Sequence, residues 1–141
     1  MTTSQIDSSS TGDPARHLSG ETLKQKLAQL PSSPKDSGTL TLMVSCREAG
    51  RREIPGEVAL TRADGMPGDT WGRNPEPNPV SQLAVMQTAV AELIANGQPL
   101  PLFGDNLWLD LDLSTENLPH GSRLQIGDCL LTPGNNLFEV K

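Results

Sequence analysis

The chain has 141 residues, the length of one domain, with 35% apolar and 3% aromatic residues and no Tyr. Its net charge of −6 argues against nucleic acid or an anionic membrane surface as the main partner. There is no apolar N-terminal leader core and no apolar run of spanning length. The two cysteines, Cys46 and Cys129, lack metal-ligand spacing, so the expectation is a reduced, cytoplasmic protein with no membrane partner.

Residues 1–17 are rich in Ser, Thr and Asp, with almost no apolar content, and read as a disordered tail ahead of one domain over 18–141. Ser19-Gly-Glu-Thr is a helix start, and Leu23, Leu27 and Leu30 follow at helical spacing before Pro31 and Pro34 end the run. This helix either packs on the outside of the domain or carries a partner. Thr39 to Cys46 alternates Leu40, Leu42, Val44 and Cys46 with Thr39, Thr41, Met43 and Ser45, which predicts a strand with one buried face and Cys46 pointing inward. A second strand is expected over Ile54–Thr61, with Pro55-Gly56 as a bulge or edge.

Five of the six arginines after residue 38 lie between Arg47 and Arg73, and no Lys occurs from 39 to 140. Either these arginines take a carboxylate or phosphate in planar, bidentate contacts, or they are solvated partners of Glu48, Glu53, Glu57, Asp64 and Asp69.

Gly65-Met-Pro-Gly-Asp-Thr-Trp is the best candidate ligand loop. Gly65 and Gly68 let backbone N–H groups approach a ligand, Asp69 orients the loop or takes a ligand donor, and Trp71 offers a stacking face. The competing reading is a structural turn with Trp71 as a core anchor.

Beyond an extended, proline-rich loop over 73–79, Val80–Met86 is apolar enough for a strand. Thr88–Asn96 predicts a helix capped by Thr88, with a face of Ala89, Val90, Leu93 and Ile94 and Gly97 just past its end. Asn106–Leu113 is the clearest strand, with four leucines on one face and Trp108, Asp110 and Asp112 on the other. Arg123-Leu-Gln-Ile and Cys129-Leu-Leu, joined by Gly127-Asp128, predict a hairpin, and Leu137–Val140 a last short strand. Two Asp on one strand face are either an acid–base pair or a solvated surface. His17 falls in the tail and His120 in a Pro-His-Gly turn, which leaves a nucleophile–His–acid apparatus poorly supported.

These segments resemble a known family. Glu57-Val-Ala-Leu-Thr with Gly65-Met-Pro-Gly-Asp-Thr-Trp, then Ser81-Gln-Leu-Ala-Val-Met-Gln, then Gly104-Asp-Asn-Leu-Trp-Leu-Asp-Leu-Asp-Leu-Ser and Asn117-Leu-Pro-His-Gly-Ser-Arg-Leu-Gln-Ile-Gly-Asp stand in the order of MOSC domains, named for the C-terminal domain of molybdenum-cofactor sulfurases. The resemblance runs from about residue 40 to 131. The roughly six or seven short strands against two short helices already suggest a mainly β barrel or sandwich, and the resemblance implies a MOSC-like β-barrel incomplete at its C-terminus.

It also implies a small-molecule partner, the molybdenum cofactor (molybdopterin) or a related pterin or phosphate ligand, in a sulfur-handling role. Gly65, Gly68, Asp69 and Trp71 match the family's Gly-Asp loop, and Asn106 the Asn that opens its later strand. Arg51 or Arg52, of which Arg52 is preferred, would meet a phosphate. Pyridoxal phosphate belongs to the family's description, but a Schiff base here would need Lys24, Lys26, Lys35 or Lys141.

The pattern breaks after Thr132, where a segment bearing the family's sulfur-carrier cysteine would follow. Cys129 is not that cysteine by position, so the expectation is a shortened domain with no catalytic residue. The alternatives are a non-catalytic β-domain whose Gly-Asp loop is purely structural, and a sulfur carrier that uses Cys46 or Cys129.

Overall fold

A computed structural model describes residues 3–6, 12–134 and 137–141. Among them are nine strands, two α-helices and several 3₁₀ turns. The strands are β1 (Thr3–Ile6), β2 (Thr39–Met43), β3 (Ser45–Cys46), β4 (Arg52–Pro55), β5 (Val85–Gln87), β6 (Leu107–Asp110), β7 (Leu124–Ile126), β8 (Cys129–Pro133) and β9 (Phe138–Val140). The helices are α1 (Gly20–Gln29) and α2 (Thr88–Ala95).

The strands form three three-stranded sheets, β1-β4-β3, β2-β6-β5 and β7-β8-β9, and none closes into a barrel. The two short helices are present as expected, but the architecture is mixed α/β and the expected β-barrel is replaced by three small open sheets. Leu83 and Phe138 exchange backbone hydrogen bonds of 3.0 and 2.8 Å, which joins β9 to the approach of β5. Among the described residues the wall therefore runs β7-β8-β9, across this bridge, then β5-β6-β2.

The expected strand over 39–46 is two strands. A register shift between Leu40 and Leu42 turns the chain, and Val44 passes it from β6 to β4. Simple alternation fails there: Val44 and Ser45 are both buried, while Cys46 is half-buried. The expected strand over 54–61 is only β4, and 57–60 joins no strand, because Pro55 lacks a donor and Gly56 follows it. Val80–Met86 contributes only its end to β5, and Val80 is exposed.

In the segment read as a tail, Thr3–Ile6 pairs with β4, and Arg16 and Asn96 bond each other's carbonyls. Backbone pairing needs no apolar side chains, which is why composition missed it. Residues 1–2 and 7–11 of that expectation lie outside the described residues.

Two core clusters flank the β2-β6-β5 sheet. Met66, Leu83, Leu107, Leu131, Phe138 and Val140 fill one side; Val44, Ala91 and Trp108 fill the other. Each fully buried Leu contributes about 2 kcal/mol. Trp108 was expected on a polar face; it is fully buried beneath α2.

The face that α2 buries is Thr88, Ala91 and Ala95. The expected Ala89, Val90, Leu93 and Ile94 face is not the inner one: only small side chains let the helix close on an indole. Thr88 is not the cap either. Gln87 holds that place, and Thr88 Oγ1 lies 2.7 Å from Thr41 Oγ1. Ser19 caps α1 as expected, its side chain accepting from Thr22 N–H.

Candidate functional site

The Gly65–Trp71 loop is pinned at three points. Met66 is fully buried in the larger core cluster. At its first end, Gly65 N–H donates to Thr61 O over 2.8 Å, at φ +60, and a Cβ there would lie 3.1 Å from Gln82 Cγ. At the other end Asp69 is 7% exposed. Its Oδ1 accepts from Cys46 N–H at 2.7 Å and Asn106 Nδ2 at 2.9 Å, and its Oδ2 accepts from Trp71 N–H at 3.2 Å.

Asn106 is spent just as fully. Nδ2 also donates to Val44 O at 3.1 Å, and Oδ1 accepts from Ala84 N–H at 3.0 Å. Asp69 and Asn106 therefore bring together the β2–β3 crossover, the loop and the approach to β5. Ser45 Oγ adds a bond to Pro67 O at 2.9 Å.

Sequence reasoning missed Gln82, which is 2% exposed. Its Nε2 donates to Arg62 O at 2.6 Å and its Oε1 accepts from Val140 N–H at 2.9 Å, linking the loop's base to β9. A glutamine inside an otherwise apolar run is the one sequence signal that could have flagged it.

The exposed part of the loop is Gly68 and Thr70, with Trp71 half-buried beside them. Trp71 is no core anchor: its indole N–H donates to Asn78 O at 3.0 Å at the surface. Gly68 has φ +73, and a Cβ there would fall 1.8 Å from Arg47 Nη1. Arg73 reaches Gly68 O at 3.4 Å. Arg47 also pairs with Glu53 at 2.5 Å, and Arg51 and Arg73 both grip Glu48. Glu48 is held below the usual carboxylate range by its own backbone N–H and then by Arg73.

Arg52, the expected phosphate ligand, is placed elsewhere. Its Nε donates to Pro101 O at 3.0 Å and its Nη1 to Gly50 O at 2.8 Å. The arginines that reach Gly68 are Arg47 and Arg73, both within the Arg-rich run.

The cysteines lie apart, each against a different core cluster, and both are free. Cys46 Sγ donates to Gly104 O at 3.1 Å. Burial, and then the Asp69 carboxylate, push its thiol up; burial alone pushes Cys129 up.

Asp110 ends β6, so Asp110 and Asp112 do not share a strand face as expected. Asp112 lies past the end of β6, accepts from Ser114 N–H at 2.9 Å and pairs with Lys35 at 3.0 Å. His120 is an exposed turn residue with Nδ1 3.3 Å from Pro133 O. Among the described residues no group of three or more His, Cys, Asp or Glu is placed to hold a metal ion, and no helix is long and apolar enough to cross a membrane.

No protein-family model, curated protein or solved structure matches the chain.

Proposed function

We propose that the chain is a MOSC-like, cytoplasmic domain that binds the molybdenum cofactor, or a related phosphate-bearing pterin, at the rim of the Gly65–Trp71 loop. The observation that supports this reading is Gly68, bare of side chain and left-handed, with the Arg47 and Arg73 guanidiniums against it. A phosphate carries the charge and geometry that such a pair accepts in place of its glutamate partners. The half-exposed Trp71 ring, two residues past Asp69, supplies a face for a flat heterocycle.

Asp69 and Asn106 do not touch ligand in this reading. They are positioning residues that hold Gly68 against the arginines. The pterin, when bound, would supply the ligand set for molybdenum, and the chain itself binds and orients it. Of the four lysines a Schiff base with pyridoxal phosphate could use, Lys24 and Lys26 lie on α1, Lys35 pairs with Asp112 and Lys141 with Glu139. Burial pushes both thiols up, which disfavours the thiolate that a sulfur carrier uses.

The second reading is a non-catalytic β-domain whose loop only ties sheets together. The internal use of Asp69 and Asn106 favours it. Titration of the full chain with isolated molybdopterin, followed by Trp fluorescence, separates the two. Saturable binding that weakens about tenfold in Arg73→Ala supports the first reading. No binding by a folded sample, or binding indifferent to Arg73, supports the second.

A further inference from the structure

Among the described residues the wall ends at β2 on one side and at β7 on the other. Each is a terminal strand of its sheet. Both line one cavity of about 830 Å³, on the far side of β6 from α2. Apolar side chains make up part of its lining, Leu40 and Met43 of β2, Leu107 and Leu109 of β6, Leu124 and Ile126 of β7, and Ser37, Thr39 and Gln125 lie among them. The segment 57–60, which joins no strand, also lines the cavity, with Val58 and Leu60 packed against the larger core cluster and Glu57 and Ala59 exposed. Two strand edges facing one apolar trough form the geometry into which an extended segment adds as a further strand.

The rim decides the occupant. Asp36, Glu57 and Asp128 line the cavity, all exposed, and among the described residues no Lys, Arg or His does. A second copy of this chain would bring the same acids and a further −6 charge against them. A cationic strand would be drawn in.

We propose that the seam between β2 and β7 binds an extended segment of another protein, in which apolar side chains alternate with Lys or Arg. Alternation sends every second side chain into the trough and leaves the cations at the rim acids. The β7–β8 hairpin turns on two residues, Gly127 and Asp128, with Ile126 opposite Cys129 and Gln125 opposite Leu130. Residues flanking such a turn exchange hydrogen bonds with each other, so the N–H and C=O of Gln125 turn away from β8, toward the seam. Main-chain bonds at Gln125 give the docking its register. This site is separate from the Gly68 rim and does not depend on what binds there.

The probe is a labelled peptide of about eight residues, a usual strand length, alternating Val and Lys. It is titrated into the full chain by fluorescence anisotropy, beside Ser–Lys and Val–Glu counterparts. Saturable binding of the Val–Lys peptide is expected, at least about tenfold tighter than either counterpart. Gln125→Pro removes the outward N–H without touching the β8 ladder and is expected to abolish binding at an unchanged melting temperature. Should that variant misfold, Glu57→Lys at an exposed position is expected to weaken Val–Lys binding about tenfold and to favour Val–Glu. Equal binding of Val–Lys and Ser–Lys peptides would mean charge attraction alone and overturn the proposal. So would no binding, binding indifferent to a folded Gln125→Pro or to Glu57→Lys, or a dimer of the free chain that Gln125→Pro dissociates.

Discussion

Asn106 donates to Asp69 over 2.9 Å between two buried side chains, and through that bond three stretches of backbone distant in sequence are held in one place. Asp69→Ala strands the Cys46 N–H and one Asn106 donor. The expected cost is about 3 kcal/mol, since each buried group left unsatisfied costs roughly 1–3 kcal/mol. Urea unfolding followed by Trp fluorescence measures it. A loss below about 1 kcal/mol would mean that water replaces the carboxylate.

Gly68 and Gly121 are both left-handed, at φ +73 and +89, but only Gly68 has a neighbour in the way. Gly121→Ala is expected to cost about 1 kcal/mol, from backbone strain alone. Gly68→Ala is expected to cost more, because the new methyl also drives the Arg47 guanidinium from its place near Glu53. Paired melting temperatures test the order, which reverses if Arg47 moves aside freely.

The Asp112 carboxyl is lowered from 3.8 to about 2 by the Ser114 N–H first and by Lys35 after it. A depressed folded value means that the carboxylate contributes stability above its unfolded value and loses it as pH falls through the window from 3.8 toward about 2. Asp112→Asn is therefore expected to unfold with a flatter pH dependence across that acid window and to lose stability near neutral pH. Urea midpoints of the two proteins, taken as a function of pH, would run parallel if the contacts of Asp112 made no difference.

Cys46 and Cys129 are both free and both pushed up by burial. An aromatic disulfide reagent at pH 8 is expected to label each more slowly in the native chain than in urea, with Cys46 the slower. Native labelling at the unfolded rate would show the thiols to be accessible, and would reopen sulfur transfer.

The local signals in the chain read true where one residue's chemistry was enough. Ser19 caps α1, Gly127-Asp128 turns a hairpin, and Phe138–Val140 forms the last strand, because caps, turns and short apolar runs need only their own neighbours. The arginine-rich run was visible too, but not which of its members would meet Gly68. That choice depends on the register of β3 against β4, which sets Cys46 opposite Arg52 and sends Arg52 to the carbonyls of Gly50 and Pro101.

What the sequence by itself determined is the set of pieces: a β-rich acidic chain, two helices, a Gly-Asp loop and a hairpin. The tertiary structure decided what each piece faces. Trp108 shares its face of an alternating strand pattern with Asp110 and Asp112, and only the arrival of Ala91 and Val44 against it makes a second core there. Asp69 looks like a ligand residue until Cys46 and Asn106 are brought to it from 23 and 37 positions away. Local propensity is set by neighbours along the chain, but burial and hydrogen-bond partners are set by contacts across it.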